Sequence, residues 1–246
     1  MLKWFSKKKK EQNLEPLDFS ALKTDIHSHL IPGIDDGSSD METTVSLIKK
    51  VQKLGFTKLI TTPHVMSDCF QNSSETILNG LADVRTELKT QNINMEIDAA
   101  AEYYIDYDFE QKIGKEKFLT FGDNYLLVEL SFMEAPQNFY NIIFKLQLEG
   151  YKVVLAHPER YNYYQMKDYD DLVSRGVLLQ INWLSLIGYY SPQIKSKTED
   201  LIAKEIVSFV GTDCHNMNHA ELYKECQVNK AWHDLNNSGK LLNSTL

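Results

Sequence analysis

The chain has 246 residues, 43% of them hydrophobic, which is enough to bury a full core and suits a single α/β domain. Its formal net charge of −8 argues against a general nucleic-acid partner, because a phosphate backbone selects basic surfaces. Cys69, Cys214 and Cys226 are odd in number and irregularly spaced, so reduced thiols in the cytoplasm are expected, not a disulfide framework.

The N-terminus reads Met1-Leu2-Lys3-Trp4-Phe5-Ser6 and then Lys7 to Lys10. It lacks the apolar run and cleavage site of a secretory signal, so residues 1–20 are expected to form a basic, frayed segment ahead of a domain over 21–246. The alternative for these lysines is weak contact with anionic lipid. No stretch reaches the roughly 18 apolar residues of a bilayer span, so no stable membrane insertion is expected.

Strand patterns follow at 23–27, 57–62, 95–101, 125–130, 152–156, 177–182 and 207–212. They alternate with helical patterns at 40–54, 74–91, 107–118, 137–149, 167–175 and 192–205, and 219–235 closes the chain. In 40–54 the apolar residues Val45, Leu47, Ile48, Val51 and Leu54 form one stripe. Gly55, Gly150 and Gly176 stand just after helical patterns, where C-terminal caps belong. Alternation of this kind implies parallel strands joined by right-handed crossovers. The predicted fold is therefore α/β, a closed or nearly closed (β/α)7 barrel like a distorted TIM barrel. A doubly wound sheet is the rival, but it would gather ligands at one switch point.

Metal-ligating residues recur where the apolar runs end. His27 and His29 end the first, and His64 follows Lys58-Leu59-Ile60. Glu102, Glu129, His157 and the Asp213-Cys214-His215 run mark later strands. Imidazoles and carboxylates bind Mn, Fe and Zn alike, and ligands at the C-terminal ends of successive strands are the layout of a barrel active site. His27 and His29 are two apart, so an extended chain sends both side chains to one face. Five of the seven histidines belong to this pattern; His219 and His233 fall outside it.

The residues Asp25-Ile26-His27-Ser28-His29-Leu30-Ile31-Pro32-Gly33-Ile34-Asp35-Asp36-Gly37, Thr62-Pro63-His64, Glu102, Glu129, His157-Pro158-Glu159-Arg160 and Gly211-Thr212-Asp213-Cys214-His215 resemble the polymerase-and-histidinol-phosphatase (PHP) superfamily. Within it the chain is most similar to bacterial protein-tyrosine phosphatases of capsular and exopolysaccharide operons, over residues 24–216. The resemblance implies up to three metal ions, with Mn2+ favoured and Fe or Zn as alternatives. His27, His29, Glu102 and Asp213 would hold the first metal, Glu102, Glu129 and His157 the second, and Asp36, His64 and His215 the third. Asp35 competes with Asp36 for its role; the family pattern favours Asp36 and leaves Asp35 to fix the turn before Gly37.

The implied activity is phosphomonoester hydrolysis, a metal-activated water attacking phosphorus in line. The implied partner is a phosphotyrosyl protein such as the tail of a tyrosine autokinase. Arg160, Glu102 and Asp213 are the expected catalytic residues. Arg160 is also the expected phosphate contact, since Arg85 and Arg175 fall on helical patterns and read as surface residues. Related phosphatases tend to have an arginine shortly after the final Asp-x-His. This chain has Asn216-Met217-Asn218-His219-Ala220 there, which leaves His219 as the available second clamp. Tyr103, Tyr104, Tyr161, Tyr163 and Tyr164 follow the ligands and either border a phosphotyrosine ring or pack on the barrel rim.

A cysteine-nucleophile phosphatase needs arginine six residues after the cysteine. Glu75, Ala220 and Trp232 occupy those positions, so that mechanism is excluded, and Cys214 reads as a packing residue. Two alternatives remain: a histidinol-phosphatase-like enzyme for small phosphoesters, and a non-catalytic metal-binding or kinase-docking module.

Overall fold

A computed structural model describes residues 14–246; the basic run Lys7 to Lys10 lies outside the described residues. Among the described residues the parallel strands are β1 (Thr24–Asp25), β2 (Lys58–Thr61), β3 (His64–Val65), β4 (Glu96–Ala99), β5 (Glu102–Tyr104), β6 (Tyr125–Glu129), β7 (Lys152–Ala156), β8 (Leu178–Asn182) and β9 (Val207–Gly211). Between them run α1 (Met41–Gln52), α2 (Ser74–Thr90), α3 (Tyr107–Lys112), α4 (Phe139–Leu148), α5 (Met166–Ser174), α6 (Trp183–Leu186) and α7 (Pro192–Ala203), followed by α8 (Met217–Cys226) and α9 (Lys230–Asn237). Among the described residues no helix is long and apolar enough to cross a membrane.

The strands pair in the orders β1-β2-β4 and β3-β5-β6-β7-β8-β9. Two of the expected strands, 57–62 and 95–101, are each followed after a short break by a further piece, β3 and β5, so nine short pieces fill seven positions. Pro63, which has no N–H to give a neighbour, separates β2 from β3. Ala100 and Ala101 separate β4 from β5, and the backbone still bridges the gap through Ala100 N–H to Thr61 O (2.9 Å) and Glu102 N–H to Pro63 O (3.1 Å). The seam between β1 and β9 is closed by side chains and by the residues just beyond both strands. Asn243 donates to Thr24 O (3.0 Å) and Val210 O (2.8 Å), and Asp25 accepts from Thr212 N–H (2.9 Å) and its hydroxyl (2.6 Å). Asp213 N–H to His27 O (2.7 Å) and His29 N–H to Cys214 O (3.0 Å) then complete the circuit on the backbone.

Pleating divides the strand residues between two cores. Ile26, Ile60, Leu127, Val154 and Phe209 fill the barrel interior. Leu59, Leu126, Val128, Val153, Leu155, Leu179 and Ile181 face the helices. Side chains start the helices: Asp40, Ser73, Asp106, Ser191 and Asn216 each accept a backbone N–H in the first turn, satisfying a donor the helix itself cannot. Three helical regions depart from expectation, the first being α6, a single turn directly after β8 where no helix was expected. α3 stops at Lys112 because Gly114 turns the chain in the left-handed region (φ 75°), and the region 219–235 is two helices because Asn229 caps a new start.

Candidate metal centre

Glu129 ends β6, His27, His29, His157, Asp213 and His215 stand just beyond strand ends, His64 and Glu102 open the short strands β3 and β5, and Asp36 stands in the loop before α1; the backbone aims several of them. His157 (φ 34°) and Asp213 (φ 53°) occupy the left-handed region without being glycine. Such conformations cost about 1–3 kcal/mol each and persist where the surroundings enforce them. A Cβ on Gly37 would stand 2.3 Å from Cβ of His29, and one on Gly211 would stand 2.5 Å from Cβ of His27. Glycine at both positions lets the backbone lie directly against the two histidines.

The ligand atoms gather into four overlapping groups, each within 4.8 Å: His29, Asp36, His64 and His215; His27, His29 and Asp213; His27, Glu102 and His157; His64, Glu102 and Glu129. Glu102, fully buried, is shared by two of the three buried groups, at 3.1 Å from His27, 3.2 Å from His64 and 2.9 Å from His157. Asp213 lies 3.4 Å from both His27 and His29. Asp36, 58% exposed, faces His64 (3.5 Å) and His215 (3.4 Å) at the mouth. The grouping departs from the expected apportioning in two places: His64 Nδ1 turns to Glu102 and Glu129 while only its Nε2 addresses Asp36, and Glu129 and His157, expected together, fall in separate groups.

Outer contacts fix which nitrogen each ring presents. His29 Nδ1 lies 2.8 Å from buried Asp35, and His215 Nδ1 donates to Asp213 O (2.9 Å), which leaves both Nε2 atoms facing the cluster. Asp35 also accepts the N–H of Gly37 (3.0 Å) and of His64 (3.1 Å), so it orients a ring and a turn while Asp36 faces the cavity. On β8, Gln180 and Asn182 contact His27 and Asp213. The sequence reading missed both, although they are polar residues two apart in an otherwise apolar strand, the spacing that marks one face.

The charges are concentrated. Burial disfavours an imidazolium at His27, yet the carboxylates of Glu102 and Asp213 outweigh it and carry the pKa up to about 9. Burial likewise opposes ionisation of Glu102 and Asp213, but the neighbouring histidines hold both well below the ordinary carboxylate range. Asp35 drops to about 2 because His29 overcomes its burial. The residues fit a metal cluster on a further count. His64 Nδ1 and Glu129 Oε1 are 2.8 Å apart, yet their angles make no hydrogen bond and both are buried without a partner. A buried nitrogen and oxygen that converge without a hydrogen bond are a pair that a bound cation would satisfy.

Above the ligands is a cavity of about 430 Å3 walled by Phe70, Phe132, Arg160, Tyr190 and His219. The Arg160 guanidinium is held between the rings of Phe132 (4.5 Å) and Tyr190 (4.4 Å) and reaches Asp213 (3.4 Å). Of the five tyrosines expected near the mouth, four pack on the barrel, and Tyr104 is half-buried. Tyr103 and Tyr161 are buried and accept the N–H of Leu119 and Leu130, Tyr163 donates to Ser131 O, and Tyr164 is buried. The rings that border the cavity are Phe70, Phe132 and Tyr190 instead. Arg85 pairs with Asp98 and Arg175 with Asp171, both half exposed and away from the cavity. Cys214 is fully buried, and burial pushes its thiol up to about 12.

A parallel barrel whose strand ends converge on histidine–carboxylate groups beneath an arginine is the build of the metal-dependent barrel hydrolases. The chain belongs to the capsular polysaccharide synthesis family CpsB/CapC, whose family model matches residues 23–232. It is 29% identical over 198 residues to the tyrosine-protein phosphatase YwqE of Bacillus subtilis, covering 78% of this chain and 77% of that protein. It is 25% identical over 213 residues to the tyrosine-protein phosphatase CpsB of Streptococcus agalactiae, covering 81% of this chain and 88% of that protein. Among solved structures it superposes, with a TM-score of 0.79, on one from the study of YwqE from Bacillus subtilis and CpsB from Streptococcus pneumoniae, described as unique metal-dependent tyrosine phosphatases. That match has 26% identity and covers 90% of each chain.

Proposed function

We propose that the chain is a metal-dependent protein-tyrosine phosphatase that acts in the cytoplasm on a phosphotyrosyl protein, the tail of a tyrosine autokinase in capsule or exopolysaccharide regulation. The observation that carries the reading is the placement of Arg160 over the same cavity into which all four ligand groups open. His27, His29, Asp36, His64, Glu102, Glu129, His157, Asp213 and His215 would hold up to three ions, Mn2+ first among the candidates. When bound, such cations supply the positive charge that acidifies a water nucleophile and offsets charge on the phosphate oxygens.

The protein's own groups do the rest. Phosphate entering the cavity replaces Asp213 as the partner of Arg160, whose planar fork matches two phosphate oxygens. Phe132 and Tyr190 hold that fork flat, so little freedom is lost when substrate binds. Phe132 is 47% exposed, and Phe70 stacks on His64 at 5.6 Å. Both line the cavity, where a phosphotyrosyl ring can lie against them.

Metal-stripped protein should be inactive on a phosphotyrosyl peptide and recover on addition of Mn2+, with little turnover of histidinol phosphate. Full activity without metal would refute the metal reading. Preference for histidinol phosphate would refute the substrate reading alone.

A further inference from the structure

β8 is the one strand position that supplies no expected ligand, yet its two inward polar side chains are completely buried. Gln180 Nε2 has two acceptors, Ile181 O at 2.8 Å and Asn182 Oδ1 at 2.9 Å. The backbone carbonyl can only accept, so this end of the amide must be the NH2 group. Its other end, Oε1, therefore accepts from His27 Nδ1–H at 2.7 Å. The same logic passes to Asn182. Its Oδ1 is already the acceptor for Gln180, so Nδ2 faces Asp213 Oδ2 (2.5 Å) and the Tyr190 hydroxyl (3.3 Å). One carbonyl thus sets the direction of every hydrogen bond in the chain.

We infer that Gln180 and Asn182 form a direction-fixed amide relay that positions His27 and Asp213 for cation binding. Gln180 keeps the proton of His27 on Nδ1, which leaves Nε2 for the cluster, and Asn182 holds one oxygen of Asp213 so that the other faces His27 and His29. The relay is anchored from behind, because the buried carboxylate of Glu159 accepts Asn182 N–H (2.8 Å) and the Ser185 hydroxyl (2.6 Å). It is confined from the side, since a Cβ on Gly211 would come within 2.9 Å of Gln180 Nε2. Gln180 and Asn182 are positioning residues and touch no substrate. The inference rests on the metal reading of the site.

The test replaces each amide by an apolar side chain of similar size, Gln180→Met and Asn182→Leu. Mn2+ binding to the stripped proteins is followed by the paramagnetic resonance of the free ion. Outer partners of metal ligands typically govern roughly 10–100-fold in affinity, and a loss of that size is expected in both variants. The second readout is the His27 Nδ1–H proton resonance in 15N-histidine-labelled, Zn2+-loaded protein. It should be lost from its downfield, exchange-protected position in Gln180→Met and kept in Asn182→Leu, an order that a merely structural role does not produce. Wild-type Mn2+ affinity in both variants, or an unmoved His27 proton in Gln180→Met, would overturn the relay. Should Gln180→Met fail to fold, the affinity of Asn182→Leu decides. If the unmodified protein binds no Mn2+, the metal reading itself falls, a result distinct from loss of the relay alone.

Discussion

Replacing Arg160 with lysine keeps the charge and removes the planar fork. In the present geometry the guanidinium lies 4.5 Å and 4.4 Å from the rings of Phe132 and Tyr190, and its side chain is 23% exposed. An ammonium has no plane to stack, and its donors do not match two phosphate oxygens at once. A hydrogen bond to a charged group contributes about 1.5–3 kcal/mol, so kcat/KM should fall roughly 10- to 150-fold. The assay compares a phosphotyrosyl peptide with a small aryl phosphate and measures bound metal in the same samples. Because both substrates carry the phosphate, the loss should be similar for the two, with metal content unchanged. A loss confined to the peptide would place Arg160 on the protein-recognition surface. Unchanged kinetics on both substrates would show that its partner is Asp213 alone.

Glu102→Ala removes the carboxylate shared by two ligand groups, so elemental analysis should find less metal and assays little turnover, with the fold kept; full metal content would refute the assignment. Acidity should tune the stripped protein in a defined sense. The pKa of His27 rises from 6.5 unfolded to about 9 folded, so its stabilisation is full below pH 6.5 and is lost as pH climbs through 9, while that of Glu102 and Asp213 is lost in acid. Melting of stripped protein should therefore shift down between pH 6.5 and 9, and apparent Mn2+ affinity should rise over the same interval as the competing proton leaves; a flat melting profile would contradict this. Burial keeps the Cys214 thiol protonated and shields Cys226, whereas Cys69 is exposed. Alkylation of native protein near pH 8 should modify Cys69 alone with activity kept, and mass spectrometry placing label on Cys214 would reopen a role for that thiol.

What sequence could show of the fold depended on whether the signal was periodic. The apolar stripe of 40–54 and the continuous apolar runs of 125–130, 152–156 and 207–212 were legible, because packing repeats at the helix or strand period. The resumption of pairing in β3 and β5 was not, since both pieces are only two or three residues long and begin at a polar residue, His64 or Glu102. The end of α3 was available in Gly114, which the helical pattern across 107–118 overrode. The seam between β1 and β9 was invisible for another reason. Asn243, which ties Thr24 to Val210, acts through contacts more than 200 residues from one of its partners, and nothing local in the sequence marks it.

The ligands were legible because their chemistry is rare at strand ends, whereas the groups that aim them are ordinary residues. Asp35, Gln180 and Asn182 could each serve many purposes, and only distances reveal that they hold His29, His27 and Asp213. The same holds for the rim, where the many tyrosines drew attention and Phe132 and Tyr190 hold the arginine. Strain carries the argument one step further. His157 and Asp213, both expected ligands, are held in left-handed backbone, and several histidines and carboxylates are crowded into a buried volume. The left-handed backbone does not favour the stripped protein. Cation binding confined to the folded state is itself stabilising and would offset that cost. Metal affinity and resistance to unfolding in this barrel should therefore rise and fall together, so that substitutions weakening the one are visible in the other.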